Sequence, residues 1–179
     1  MGGTVLALGG VLGACASLMG PRTVVIGREE LRSRLAKPFP MTQRVLRMLD
    51  VTIEAPELDL LAERDRVAAT FGIHAHDTVF GEDREGRLRL SFGLRYDPSD
   101  LTLRLRDVAL DEITLEGLPA SLTRALGAVG TELVAHRLQD EPVHRFKPED
   151  LKRANDMGYE VADVRVTATG LAIDLKPKP

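Results

Sequence analysis

The chain has no tryptophan, and aromatic residues make up only 4% of it. That scarcity argues against the stacked aromatic platforms by which proteins hold single-stranded nucleic acid. Cys15 is the whole thiol inventory. It leaves no partner for an internal disulfide and no thiol nucleophile further along. Neither sign of charge dominates, because 24 Lys and Arg stand against 27 Asp and Glu. No overall field therefore draws the chain to nucleic acid. The patterns Gly-x-Ser-x-Gly, His-Glu-x-x-His and the phosphate loop are missing, so the common hydrolase and nucleotide chemistries have no foothold. Paired acids such as Asp111-Glu112 and Glu149-Asp150 read as turn and helix-start residues. No enzyme, cofactor or metal centre is expected. No apolar run reaches the length of a comfortable membrane span, and there is no internal repeat or low-complexity segment.

What is present is a chain of 179 residues, 44% of them hydrophobic and 28% charged, enough for one domain with a real core. No charged side chain precedes Arg22, and Val5 to Leu18 is rich in Gly, Ala, Leu and Val. This is the length and character of the apolar region of an export signal. Within it, Leu12-Gly13-Ala14-Cys15 resembles the bacterial lipobox, in which the chain is cut before the Cys and the thiol is acylated. The resemblance implies a signal over 1–14, a lipidated Cys15 with a tether over 15–22, and a single domain over 23–179. Each buried acyl methylene contributes about 0.8 kcal/mol to such an anchor. The usual Lys or Arg before the apolar run is absent, and Ala16 follows the Cys. In Gram-negative lipoproteins that residue implies the outer membrane, on its periplasmic face.

Within 23–179 the organising stretch is Leu118 to Leu138. Leu118, Leu122, Leu126, Val129, Leu133 and Leu138 recur at helical steps, the period of a helix with one apolar face. A short helix is predicted over Arg28–Lys37 with Leu31 and Leu35 inward, and another over Pro148–Asn155. Strands are predicted where apolar residues alternate: Leu49 to Ala55, Leu58 to Leu60, Val67 to Ala75, Leu88 to Tyr96, Leu101 to Leu105 and Val108 to Leu115. Pro142 to Phe146 is extended, and a last hairpin turns at Thr169-Gly170. Asp97-Pro98-Ser99-Asp100 is a turn that sets Tyr96 opposite Leu101 and Leu94 opposite Leu103. Glu63 to Arg66 is a turn as well.

Two constellations bear weighing. His74 and His76 share the outward face of one strand, a pair that can chelate Zn²⁺ or Cu²⁺ but lacks further ligands at a matching spacing; two surface histidines is the favoured reading. Arg89, Arg95, Arg104 and Arg106 all point away from the core. They form either a basic patch for phosphate head groups or anionic glycans or, as favoured, a face neutralised by cross-strand acids such as Glu112 and Glu116.

Several segments in order also resemble the YceB-like bacterial lipoproteins, a family without an assigned role. They are the lipobox at Cys15, Glu30-Leu31 through Phe39-Pro40, Gly93-Leu94-Arg95-Tyr96-Asp97-Pro98, Gly117-Leu118-Pro119, and Pro142-Val143-His144-Arg145-Phe146-Lys147-Pro148-Glu149-Asp150-Leu151. The element order is similar to half of a BPI-like lipid-binding protein. This implies an α+β fold in which a curved antiparallel sheet wraps one long helix, with two short helices. It also implies a pocket for a lipid or other hydrophobic ligand between helix and sheet. Its walls would be Phe71, Leu90, Phe92, Leu94 and Leu103 from the sheet, and Leu122, Leu126, Val129 and Leu133 from the helix. The alternative is a lipid-anchored scaffold with a fully packed core. The expected partner is the membrane, through Cys15; no nucleic acid is expected.

Overall fold

The computed structural model describes residues 20–45, 49–79 and 81–178, so Cys15 and the segment before Gly20 lie outside the described residues. In chain order the elements are β1 (Arg22–Gly27), α1 (Arg28–Ala36), β2 (Met41–Val45), β3 (Leu49–Ile53) and β4 (Glu57–Leu61). A 3-10 turn (Ala62–Arg64) leads to β5 (Arg66–Asp77), β6 (Asp83–Asp97), β7 (Thr102–Leu115) and α2 (Ala120–Arg137). The chain ends with β8 (Pro142–Arg145), α3 (Pro148–Asp156), β9 (Tyr159–Thr167) and β10 (Gly170–Pro177).

Strand accounts for 55% of the molecule and helix for 22%. A curled, antiparallel half-barrel sheet runs β2-β3-β5-β6-β7-β8, with β4 pairing β5 end to end with β3. A second sheet has the order β1-β10-β9. The core lies between the two. Val67, Leu94, Leu103 and Leu105 of the larger sheet cluster with Val164, Val166, Leu171 and Ile173 of the smaller, and α1 adds Leu31. Fully burying one such side chain stabilises by about 1.5–3 kcal/mol, and Val67 and Leu171 are both 0% exposed.

The expectation of a sheet wrapped around one long helix is therefore corrected: the chain is mostly β, and sheet-on-sheet packing fills its centre. α2 packs on the far end of β7, with Gly127 near Ile113 and Gly130 against Leu110. Nine of its 18 residues are Ala, Gly, Ser or Thr, which bury little apolar area. Val129, expected in the core, is 66% exposed. The side chains of Leu122, Leu126 and Leu133 lie outside the described residues. The short helices agree with expectation in place, α1 carrying its one buried residue at Leu31.

The central hairpin keeps the expected faces but not the expected register. Tyr96 opposes Leu103 and Leu94 opposes Leu105, two residues beyond the predicted pairing. The loop absorbs the difference. Asp97 accepts hydrogen bonds from the backbone N–H and the hydroxyl of Ser99, at 3.0 and 2.6 Å, and Leu101 takes a left-handed φ of 57°. Because the slip is even, every inward side chain stays inward. Further along, two bulges insert Asp111 and one of Asp107 and Val108 into β7, bending the strand as such insertions do. On the outer face, Arg66 Nη2 donates to the carbonyls of Ser91 and Asp107, each at 2.7 Å, and sews this bend in place.

Candidate functional site

The concave face of the larger sheet is incompletely filled. One cavity of about 420 Å³ lies beneath α1 and β8. Its apolar walls include Leu31 and Leu35 of α1, Leu94 and Leu103 of the sheet, Phe146 just after β8, and Leu171 of β10. A second, of about 340 Å³, adjoins it toward the far end of the sheet, where Phe39, Phe71, Leu90, Leu105 and Leu138 line it. Leu35, Phe92 and Val143 belong to the walls of both. A third, of about 320 Å³, continues past Ile26 to Val24, Leu151, Val161 and Leu175. Each volume falls in the range of small-molecule sites, roughly 300–1,000 Å³.

Local sequence explains the gap. α1 stands over the sheet on Leu31 and Leu35, one turn apart on one helix face. Pro38 and Pro40 end the helix, and Phe39 between them tilts against Phe71 with ring centroids 5.5 Å apart. Phe146 packs edge-on against Tyr96 at 5.9 Å and against His144 at 4.7 Å. Phe39 thus fixes the chain after α1 on the sheet, Phe146 packs against Tyr96 beside the edge strand β8, and the first cavity lies between α1 and the sheet.

The polar edge of the first cavity is formed by Arg34, Lys37, His144, Arg145 and Lys147, and among the described side chains no carboxylate lines it. Arg34 is common to all three cavities. Its Nη2 donates to Glu30 at 2.5 Å and its Nη1 lies 3.3 Å from His144 Nε2. Arg145 donates to the Asp100 carbonyl at 2.9 Å and lies 3.6 Å from its carboxylate.

Of the sequence-predicted pocket residues, Phe71, Leu90, Phe92, Leu94 and Leu103 line the first two cavities. Val129 lines neither, and among the described side chains the opposing wall comes from α1, β8 and Leu138. Leu35, Phe39, Val143 and Phe146 are further walls, for which the sequence offers one signal, the inward face of Leu31 and Leu35 on α1.

The four outward arginines do not stand free. Arg89 pairs with Asp59 at 3.1 Å, and Arg106 with Asp65 at 2.5 Å and Asp107 at 3.0 Å. Arg95 pairs with Asp140 and Asp97, and Arg104 with Asp100 at 2.6 Å. The acids are aspartates of turns and neighbouring strands rather than Glu112 and Glu116. Hydrogen bonds from Ser99, helped by Arg95, hold Asp97 below the ordinary carboxylate range. Thr102, then Arg104, does the same for Asp100. His74 lies 3.0 Å from Glu54, and His76 2.7 Å from Asp83. Among the described residues no three His, Cys, Asp or Glu side chains converge as metal ligands, and no helix is long and apolar enough to cross a membrane. The arrangement offers apolar volume with a cationic edge, a chemistry of holding.

No protein-family model matches the chain and no curated protein does, so the likeness to YceB-like lipoproteins rests on its motifs alone.

Proposed function

We propose that this domain holds a lipid or other hydrophobic ligand in the concave face of its larger sheet. In this reading acyl chains on Cys15 tether it to the bacterial envelope, at the periplasmic face of the outer membrane. One observation carries the binding half of the proposal. Two apolar cavities of about 420 and 340 Å³ share the wall of Leu35, Phe92 and Val143. A scaffold with a fully packed core needs no such volume, so the cavities favour the carrier over the scaffold. Burial of each methylene of an acyl chain there contributes about 0.8 kcal/mol, so about ten buried methylenes correspond to micromolar affinity.

The test is native mass spectrometry of the purified protein, joined to titration with a fluorescent fatty acid. A bound lipid mass or saturable one-to-one binding is expected. Leu90→Trp, which fills the second cavity, is expected to weaken binding at unchanged melting temperature. Protein that is consistently empty and shows no saturable uptake overturns the reading.

A further inference from the structure

We propose that the occupant is an anionic amphiphile, whose charged head sits at the Arg34, Lys37, Arg145 and Lys147 edge and whose chain runs toward Phe71 and Leu90. The inference rests on the hydrophobic-ligand reading above and names its class. It begins from an asymmetry between the two ends of the binding region. Among the described side chains, the first cavity is lined by four cationic groups and no carboxylate. The second carries one charged residue, Arg34, at the shared end, and is otherwise apolar. A molecule complementary to both has a negative head and an apolar tail, in that orientation. A neutral lipid would make no use of the excess of cationic over anionic side chains among the described lining residues.

The cations are not equivalent. Arg34 already donates to Glu30 and to His144. Arg145 is engaged by Asp100. Lys37 sits just beyond the end of α1, and no carboxylate of the described residues pairs with it, so its ammonium is the freest to meet a ligand. The position suits it: the last turn of a helix carries partial negative charge, which a cation stabilises until a stronger anion arrives. Glu30 is the opposing group. It lines the third cavity and draws on Arg34, so it weakens the field that a head group would feel.

This gives variants of opposite sign. Lys37→Met removes a charge-assisted contact at a partly solvated edge and is expected to weaken an anionic ligand about three- to tenfold. Arg34→Met does the same, and Arg34→Lys recovers part of the loss. Glu30→Gln strengthens binding a few-fold, an effect that loss of structure cannot imitate. The experiment measures the affinity of the full chain for oleate and for monooleoylglycerol, which share a chain and differ in charge. Salt is set at about 0.05 and 0.5 M, since screening grows over that range.

Tighter binding of oleate is expected, with the preference shrinking at high salt and in Lys37→Met and growing in Glu30→Gln. Equal affinities for both ligands, unmoved by the variants, overturn the anionic head while leaving the hydrophobic-ligand reading intact. An oleate preference that ignores all the variants overturns it too, since the head then sits elsewhere. Failure of both ligands to bind overturns the reading beneath it and this inference with it.

Discussion

Asp65 joins the two sheets, and its removal gives a calculable loss. It follows the 3-10 turn in a left-handed conformation, φ 51°. One carboxylate oxygen accepts the backbone N–H of Val166 on β9 at 2.7 Å, across to the other sheet. The other accepts Arg106 Nη2 of β7 at 2.5 Å. In Asp65→Ala three terms change. The Val166 amide, on a residue 5% exposed, loses a charge-assisted hydrogen bond of roughly 1.5–3 kcal/mol. Alanine in the left-handed region adds about 1 kcal/mol, since Asp tolerates it better. The Arg106 pair is over a third exposed on both sides and contributes only about 0–1 kcal/mol. The sum is about 2.5–5 kcal/mol, which in a domain of this size lowers the melting temperature by about 5–20 °C. Asp65→Asn keeps an acceptor for Val166 and tolerates the same φ, so the ion pair and the charge assistance are lost and about 1–2 kcal/mol should follow. Urea unfolding of the three proteins measures both differences. If Asp65→Ala lies within about 1 kcal/mol of the parent, or Asp65→Asn costs as much as Asp65→Ala, the clamp is not made as described.

Stability should fall in acid. Asp50, Asp97, Asp100 and Asp174 all titrate below their ordinary range in the fold, held down by Arg44, Ser99, Thr102 and Arg165 respectively as the leading cause. A depressed folded pKa gives stability that is complete above the unfolded value near 3.9 and is lost as pH falls through the folded one, so urea midpoints should drop below about pH 4; a flat profile from about pH 5 to pH 2 contradicts this. Leu171→Ala, at a side chain with no exposure that packs between the sheets, should cost about 2–5 kcal/mol by calorimetry or urea titration. A loss under about 1 kcal/mol would place the core elsewhere. Cys15→Ser should abolish incorporation of labelled palmitate and release the domain from membranes with its melting temperature unchanged. Retained label would refute the lipid anchor.

The parts legible in the sequence were those whose pattern is local. Val67 to Ala75 and Leu88 to Tyr96 alternate cleanly, and both are strands with the expected faces. Arg28–Ala36 and Pro148–Asp156 are bounded by proline or glycine, and both are helices. β1 has no counterpart in the sequence reading because Thr23-Val24-Val25-Ile26 does not alternate, so the stretch between the expected tether over 15–22 and α1 shows no element. β2, Met-Thr-Gln-Arg-Val, is exposed at four of its five positions, so it offers no apolar period to read. α2 misled for the opposite reason. Its heptad-like leucines promised a core helix, but the small residues between them give the sheet little to grip. The cationic edge was not legible at all. Lys37 and Arg145 are distant in sequence and meet only because β8 folds back beside β7 under α1, and no spacing rule anticipates that.

The pairing of β1 with β10 has a consequence for the order of folding. Arg22 opposes Leu175, and Gly27 opposes Gly170, so the first strand of the described chain finds its ladder only when the last has been made. Every other strand lies within that closure. Contacts of such long range make closure slow, because the loop entropy is lost before the contacts repay it. A nascent chain stopped before Gly170 lacks the partner of β1, Leu171 is absent from between the sheets, and the smaller sheet cannot assemble. Until β10 has been made the smaller sheet stays open, and the cavity beneath α1, which takes one wall from Leu171, cannot close.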